Sequence, residues 1–463
     1  MKKLLLSLVF TSMVAATYGQ GYLSFYQLRD LVPQTQGLNP AYAPQNGFVF
    51  SIPALNSSFE TTASFPASDL LVDQGDGRLK IDFQNLLANT EEENELGLDF
   101  TSNLFHFQVR GLGGSLSLFS NARGSFNLRY DDDLINLLAN GNGNSIGQTI
   151  SLGEDLNFMT YNEYGIGYTT QLFEDKLTLG VRLKYLNGQF YAGTQEGGTL
   201  DIYTAPGTYD ITMTANGLGV QTAGLDILLN PDDYDSNALG NYAVWTDNTG
   251  FAADFGATFK LTERVTLEAS VTDIGSINWS DMVTNYSLNN ASTTIDGSDL
   301  RADGDEEGGF DEIESEIEDF FEANENYEEF QTKLNMKTYF GATYMIHDSH
   351  RLGMTMYNNS VFGTFNPSYA ASYNWLPGRK TTLGVLASFG GMIQEPMFGA
   401  NLATNLGPIQ FYAATNNFLG LTKPQEINAV DVRFGLNIML GYKRVTKTRI
   451  SQDQSQTQTQ TSN

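Results

Sequence analysis

The most regular pattern of hydrophobic and polar positions lies near the end of the chain, between Val430 and Tyr442. Every even position in this stretch carries a large apolar side chain, and the odd positions between them are polar or small, apart from Met439. An alternation with a period of two predicts a β-strand that has one apolar face and one polar face.

The same alternation recurs along most of the chain. Strands with this pattern are predicted at 48–52, 58–65, 105–110, 126–130, 164–168, 177–185, 191–203, 208–215, 251–259, 265–271, 279–288, 340–345, 351–357, 369–375, 382–389, 397–404 and 409–413. Short turns alternate with longer loops between them. The pattern predicts an all-β fold, a transmembrane antiparallel β-barrel of about 14 strands with short helices in its loops. The alternative is a large soluble all-β protein, in which strands alternate in the same way.

The first 20 residues predict export. Lys2 and Lys3 precede the apolar run from Leu4 to Ala16, which is shorter than the roughly 20 residues of a membrane-spanning helix. We therefore expect a signal peptide over residues 1–20, cleaved after Gly19 or Gln20. The chain has no cysteine, which excludes a lipoprotein anchor, disulfides and thiolate metal sites. The signal peptide and the strand pattern together predict that the protein lies in the outer membrane of a Gram-negative bacterium.

The rest of the chain divides into three parts. Residues 21–46 lack strand alternation, and Tyr22, Phe25 and Leu28 are spaced as in a helix; this segment is either a plug inside the barrel or a periplasmic extension. The barrel is predicted over residues 47–442. The polar tail 443–463 is expected to be disordered.

Composition changes the picture in two ways. The 46 glycines, 23 tyrosines and 30 phenylalanines suit a curved sheet with aromatic girdles at the membrane interfaces. The net charge of -28 comes largely from acidic clusters, which we place in water-exposed loops. Nucleic acid is excluded as a partner because its binding needs clustered Lys and Arg. Outer-membrane lipids are the expected surroundings.

The longest acidic loop, residues 296–331, contains a candidate calcium site. Its possible ligands follow the spacing of a calcium-binding loop, with Gly308 at the turn: Asp303, Asp305, Glu307, Asp311 and Glu314. The alternative is an acidic, solvated loop in which this spacing arises by chance. Apolar residues at helical spacing also predict an amphipathic helix between Phe310 and Phe330, covering the barrel mouth or docking on a partner.

The predicted strands place a set of polar side chains on the face opposite the apolar one, towards the lumen. These are His106, Arg110, Arg129, Arg182, Lys184, Asp254, Lys260, Glu268, Asp431 and Arg433. Because both signs of charge are present, they either pair across the lumen or bind polar head groups.

The sequence does not indicate an enzyme. The stretch Gly143 to Gly147 matches the nucleophile-elbow pattern, but that motif requires a strand before it and a helix after it. Here it follows a predicted short helix, 131–139, and lies in an Asn-Gly turn. His347 and His350 flank a predicted hairpin turn, where a solvated loop is expected.

Two short stretches resemble a known family. Leu38-Asn39-Pro40-Ala41-Tyr42 resembles the Asn-Pro-Ala element of barrels like the long-chain fatty-acid transporter (FadL-like) and of Bacteroidota barrels that serve type IX secretion and gliding. The run from Gly180 to Gly188 resembles a segment of an uncharacterised Bacteroidota branch of that group. The resemblance implies a barrel of 14 strands with an N-terminal plug, often with a lateral opening for apolar ligands.

Two functions follow as hypotheses. In the first, the barrel binds or passively transports a hydrophobic or amphipathic small molecule. In the second, it is a scaffold or accessory subunit that holds other envelope proteins.

Overall fold

The computed structural model describes residues 22–442 without 43–45, 74–78, 92, 112, 174, 196, 230–235, 289, 297–319, 321–324, 379, 392 and 424–425. The predicted signal peptide, the predicted tail and the calcium ligands Asp303, Asp305, Glu307, Asp311 and Glu314 lie outside the described residues.

Strands dominate the described chain because most of it alternates between apolar and polar side chains. In order they are β1 Asn46–Ser51, β2 Ser57–Ala63, β3 Leu71–Asp73, β4 Leu79–Ile81, β5 Glu93–Gly111, β6 Gly114–Asp131, β7 Thr149–Leu152, β8 Asp155–Leu172, β9 Leu177–Thr194, β10 Thr199–Thr204, β11 Ile211–Asn216, β12 Leu218–Ala223, β13 Thr249–Lys260, β14 Val265–Trp279, β15 Val283–Leu288, β16 Ser292–Ile295, β17 Glu325–Asn326, β18 Phe330–Lys333, β19 Lys337–His347, β20 His350–Asn359, β21 Ser368–Gly378, β22 Thr381–Gly390, β23 Ile393–Leu406, β24 Ile409–Thr415 and β25 Ala429–Tyr442.

The main sheet closes on itself. Both β1 and β2 pair with β5 on one side and with β25 on the other, all antiparallel. When interrupted strands such as β12–β13 and β14–β15 are counted once, the barrel has 14 strands. The predicted transmembrane barrel is therefore confirmed.

The two ends of the barrel differ. Hairpins such as β5–β6 and β19–β20 turn within two or three residues at one end, which is the periplasmic end in barrels of this class. The other end carries the long loops, and three of them contribute a separate four-stranded sheet in the order β16-β11-β10-β7.

The described helices are short. They are α1 Leu23–Tyr26, α2 Ala67–Leu70, α3 Phe83–Leu87, α4 Asp132–Asn140, α5 Leu225–Leu229 and α6 Ser236–Val244, with 3-10 turns at Arg29–Leu31, Pro33–Gly37, Gly143–Ser145 and Val361–Gly363. None of the helices in the described ranges is both long and apolar enough to cross a membrane.

The interior of the barrel contains two large apolar clusters. Residues from the N-terminal segment, among them Leu23, Phe25 and Tyr26, pack against Tyr339 and Tyr412 of the wall. Nearer the long loops, inward-facing apolar side chains of the wall itself form a second cluster, which includes Leu186, Tyr191, Ile277, Trp279 and Phe330.

Three predicted elements are wrong. The predicted strand 191–203 is interrupted between β9 and β10, where Gly197 has a positive φ of 79°, and β10 belongs to the four-stranded sheet. The predicted strand 279–288 is broken between β14 and β15, where Met282 has a positive φ of 52°. The predicted helix up to Phe330 does not reach that residue, since β17 and β18 pair with β15 and β14.

Candidate functional site

The N-terminal segment, residues 22–42, lies inside the barrel and is called the plug below. Its polar groups form hydrogen bonds with several separate strands of the wall. Gln27 donates to Thr355 Oγ1 (3.0 Å) and accepts from Ser372 Oγ (3.0 Å), while Gln34 exchanges two hydrogen bonds with Asn437 at 2.8 and 3.0 Å. Residues 22–42 thus contact the inner face of the wall.

One wall carboxylate connects two distant points of the plug. Glu268, whose side chain is 1% exposed, forms an ion pair with Arg29 and accepts a hydrogen bond from the Tyr42 hydroxyl. Burial by itself would lower the pKa of Arg29, but Glu268 and the other acidic groups around the guanidinium together more than offset burial and raise this pKa. Burial, and then the charge of Glu268, raise the pKa of Tyr42 well above its usual value, so the phenol stays protonated and donates.

The Asn-Pro-Ala stretch, residues 39–41, packs closely against two glycines of the wall. Gly180 of β9 and Gly256 of β13 are register partners. A Cβ on Gly180 would lie 2.0 Å from the Pro40 carbonyl oxygen, and one on Gly256 would lie 2.1 Å from Asn39 Oδ1. Only glycines allow this close approach. The Asn39 side chain in turn accepts from the backbone N–H of Ala41 at 3.0 Å, which fixes the turn.

Charged side chains of the wall pair with one another beside the plug. Lys184 Nζ lies 2.5 Å from Asp273 and 2.7 Å from Asp254, and Arg123 bonds to Asp273 at 3.1 Å and to Glu163 at 3.2 Å. The cluster is closely packed: the lumen cavity that Arg123, Glu163 and Asp273 line has a volume of about 50 Å³. That is far below the roughly 300–1,000 Å³ of small-molecule sites.

The wall itself has a seam at the end of the short strand β24. β24 pairs with β25 only up to Ala414–Arg433. Beyond that pair, the Asp431 carboxylate accepts from the backbone N–H of Asn416 at 2.6 Å and from Thr415 Oγ1 at 3.3 Å. Side chains thus replace the backbone ladder here. We call Thr415, Asn416 and Asp431 the seam.

The plug reaches this seam directly. The backbone N–H of Ser24 donates to Asn416 Oδ1 at 2.7 Å, and the Ser24 hydroxyl donates to the carbonyl of Ala400 at 2.8 Å. Asn416 is fully buried between the plug and the wall. A shift of α1 would therefore break a contact that also supports the wall.

A large groove lies on the lipid-facing side of the same strands. Its volume is about 540 Å³, within the range of small-molecule sites. Its lining contains no charged side chain and consists of Tyr373, Trp375, Leu383, Gly384, Val385, Ala400, Asn401, Leu402, Ala413, Ala414, Thr415, Leu421 and Val432. The depth arises because the outward positions at Ala400 and Ala413 are small, while larger side chains border them.

A family model matches residues 40–416 of the chain, and its description is "Family of unknown function (DUF5723)". The chain belongs to this family. No curated protein matches it.

Several solved outer-membrane barrels are similar over nearly their whole length. The Pseudomonas putida toluene transporter TodX is 9% identical, with 91% of this chain and 93% of TodX covered and a TM-score of 0.38. The Ralstonia pickettii toluene transporter TbuX is 8% identical, with 89% and 94% covered and a TM-score of 0.40. A Pseudomonas aeruginosa FadL homologue is 9% identical, with 92% and 98% covered and a TM-score of 0.42. With TM-scores below 0.5, none of these similarities assigns a ligand to this chain.

In this DUF5723 protein, most of the polar residues singled out from the sequence lie on the inner face of the wall. His106, Arg182, Lys184, Asp254, Glu268 and Asp431 are buried there. Arg433 lies over the Tyr22 and Phe25 rings of the plug, at 4.5 and 4.1 Å from their centroids.

Three of the predicted lumen residues lie near the rims. Arg110 bonds to Gln171 near the short turns, and Arg129 bonds to Glu95 and Asp155 near the long loops. Lys260 is exposed at the end of β13, and its placement in the lumen stays a prediction. Its position in the alternation of β13 is an inward one, but the strand ends at this residue and the side chain reaches water.

Sequence reasoning missed the residues that hold the plug and the seam. Gln27, Gln34, Asn416 and the charged pair partners Arg123 and Asp273 were not singled out. Amides in a plug carry no pattern of their own, and Asp273 lies at a β-bulge with a positive φ of 63°, where the inward parity changes. The one signal in the sequence is that Asp273 lies where the alternation of inward and outward positions along β14 shifts by one residue.

Proposed function

We propose that this protein binds hydrophobic or amphipathic small molecules at the lipid-facing groove and transports them passively between the membrane and the lumen. The groove is the observation that carries the proposal. It is apolar, has the volume of a small-molecule site, and opens towards the hydrocarbon in which such molecules dissolve.

The position of the groove supports transport rather than storage alone. Thr415 lines the groove and belongs to the seam, and the seam is bonded to the plug through Asn416 and Ser24. The plug fills the lumen, so a molecule passes inward only when the plug moves away from the seam. Polar contacts, which water can replace, hold the plug at these points.

The second candidate is a scaffold for other envelope proteins. The filled lumen favours it, and so does the four-stranded sheet that the long loops build beyond the barrel. In this role the plug would stay in place and the outward loops would carry the function.

Mass spectrometry of the protein extracted from native membranes tests both candidates. We expect small apolar molecules to accompany the wild-type protein and to be lost, at least tenfold, from an Ala400→Phe/Ala413→Phe variant whose groove is filled. Ala257→Phe, an outward alanine on the opposite wall, is the matched control and should retain them.

Equal retention by the groove-filled variant and the wild type would overturn the groove as the binding site. An empty barrel that carries a stoichiometric protein partner would instead favour the scaffold.

A further inference from the structure

One barrel strand is interrupted by an insert, residues 224–248. β12 ends at Ala223, paired with Tyr191 of β9, and β13 begins at Thr249, paired with Asn187 of the same strand. The two strands therefore occupy one position in the wall. The chain leaves the wall between them, forms α5 and α6, and returns.

The end of the insert lies on the outside of the barrel. The Trp245 ring stacks on Tyr185 at 5.7 Å between centroids and lies 6.0 Å from the ring of Tyr164. Both tyrosines belong to the outward-facing rows of β9 and β8, in which Leu183 and Ile166 are also exposed. Trp245 is therefore part of the lipid-facing surface.

The exposed side chains at this place are large and apolar. Trp245 is 54% exposed, Val244 is 64% exposed and Phe251, which contacts Tyr185 edge-on, is 72% exposed. They continue the apolar surface of the wall without a break.

Hydrogen bonds hold the insert firmly against the wall at this point. Asn187 Nδ2 donates to the carbonyl of Thr246 at 2.7 Å, and Gly188 N–H donates to the carbonyl of Asn248 at 2.8 Å. The Asn248 side chain accepts from the backbone N–H groups of Ser280 and Asp281 at 2.9 and 2.8 Å. The height of Trp245 along the barrel is thus fixed.

That height matches the edge of a membrane. From Leu177, where β9 begins, to Tyr185 the strand has nine residues. A tilted β-strand needs roughly 9–11 residues to cross the hydrocarbon of a membrane. β8 and β9 have 18 residues each, so they continue well past this level, towards the long loops.

We infer that the insert is a membrane-surface anchor whose Val244, Trp245 and Phe251 lie at the boundary between the lipid head groups and the hydrocarbon. Tryptophan favours this boundary because its ring is apolar and its N–H is polar. The anchor fixes how deeply the barrel sits, and the parts of β8 and β9 beyond Trp245 stand above the hydrocarbon.

Depth-dependent quenching of tryptophan fluorescence tests this inference. The chain has three tryptophans. A Trp375→Phe variant keeps Trp245 and the fully buried Trp279, and a Trp375→Phe/Trp245→Phe variant keeps Trp279 alone, so their difference reports Trp245. Both variants are reconstituted in phosphatidylcholine vesicles brominated either near the head group or near the chain end.

We expect the Trp245 emission to fall at least twofold with bromine near the head group and much less with bromine near the chain end. The emission of the double variant, which comes from Trp279 alone, should be that of a buried ring, which shows that this variant is folded. Unchanged Trp245 emission in both kinds of vesicle, or stronger quenching by the deep bromine, would overturn the anchor.

Discussion

At the scale of single residues, the plug depends on a carboxylate that is hidden from solvent. Glu268 binds Arg29 and Tyr42, which are separated by a loop of the plug, so one residue holds both ends of that loop. Thr343 also donates to Glu268, at 3.4 Å, and Arg29 donates to Thr343 at 2.7 Å. Both carboxylate oxygens of Glu268 therefore have partners.

A Glu268→Gln substitution should loosen the plug and leave the barrel closed. It keeps the shape but leaves Arg29 buried without a counter-charge, and breaking a buried ion pair typically costs roughly 3–5 kcal/mol. We expect amide hydrogen exchange to accelerate at least tenfold in residues 22–42 and to stay unchanged in β20 to β23. The control Glu263→Gln changes an exposed turn carboxylate and should leave the plug protected; equal protection in both variants would contradict this role of Glu268.

At the scale of elements, β24 is the weakest member of the wall. It has 7 residues, whereas its neighbours β23 and β25 have 14 each. The missing part of its ladder is replaced by the seam, where a single carboxylate receives the N–H of Asn416. A side-chain bond can open without unravelling the strands on either side, which a backbone ladder cannot do.

The Asp431→Ala substitution tests the seam. It leaves the buried N–H of Asn416 without its acceptor, at a cost of roughly 1–3 kcal/mol. We expect faster hydrogen exchange at Asn416 and at Ser24, which is bonded to it, while β22 exchanges as before. Asp348→Ala in the β19–β20 turn is the control. Unchanged exchange at Asn416 would show that Asp431 does not support the wall.

At the scale of the whole molecule, the barrel is closed by its own N-terminal segment. The plug takes up the part of the lumen nearer the short turns, and the cluster around Trp279 lines one side of the part nearer the long loops. Because polar groups of the wall face the plug, its removal would leave a water-filled cavity rather than a collapsed one.

Deletion of residues 22–42 should therefore make the barrel conduct ions. In planar lipid bilayers we expect no steady conductance from the wild-type protein and discrete open channels from the deletion variant, provided that its barrel still migrates as a folded species. A folded deletion variant without conductance would show that the wall cluster alone closes the lumen.

The sequence by itself determined where the strands lie and which of their side chains point inward. It also determined that the strands form a barrel. Alternation is local: when Val430, Val432 and Phe434 point to one side, Asp431 and Arg433 point to the other, whichever strand lies beside them. Hence the inward position of His106, Arg182 and Lys184 could be predicted. Errors arose where the alternation continues across a break in a strand, as between β9 and β10, because the segments on both sides of the break are amphipathic.

Only the tertiary structure decided what fills the barrel and which residues meet. The plug could equally have been an extension, because its apolar residues fit any apolar surface, and the partners of Tyr42 and Ser24 lie 226 and 392 positions away. The groove likewise exists because small side chains of separate strands, Ala400 and Ala413, become neighbours. A period of two fixes which way a side chain points, but the register of distant strands fixes what it touches.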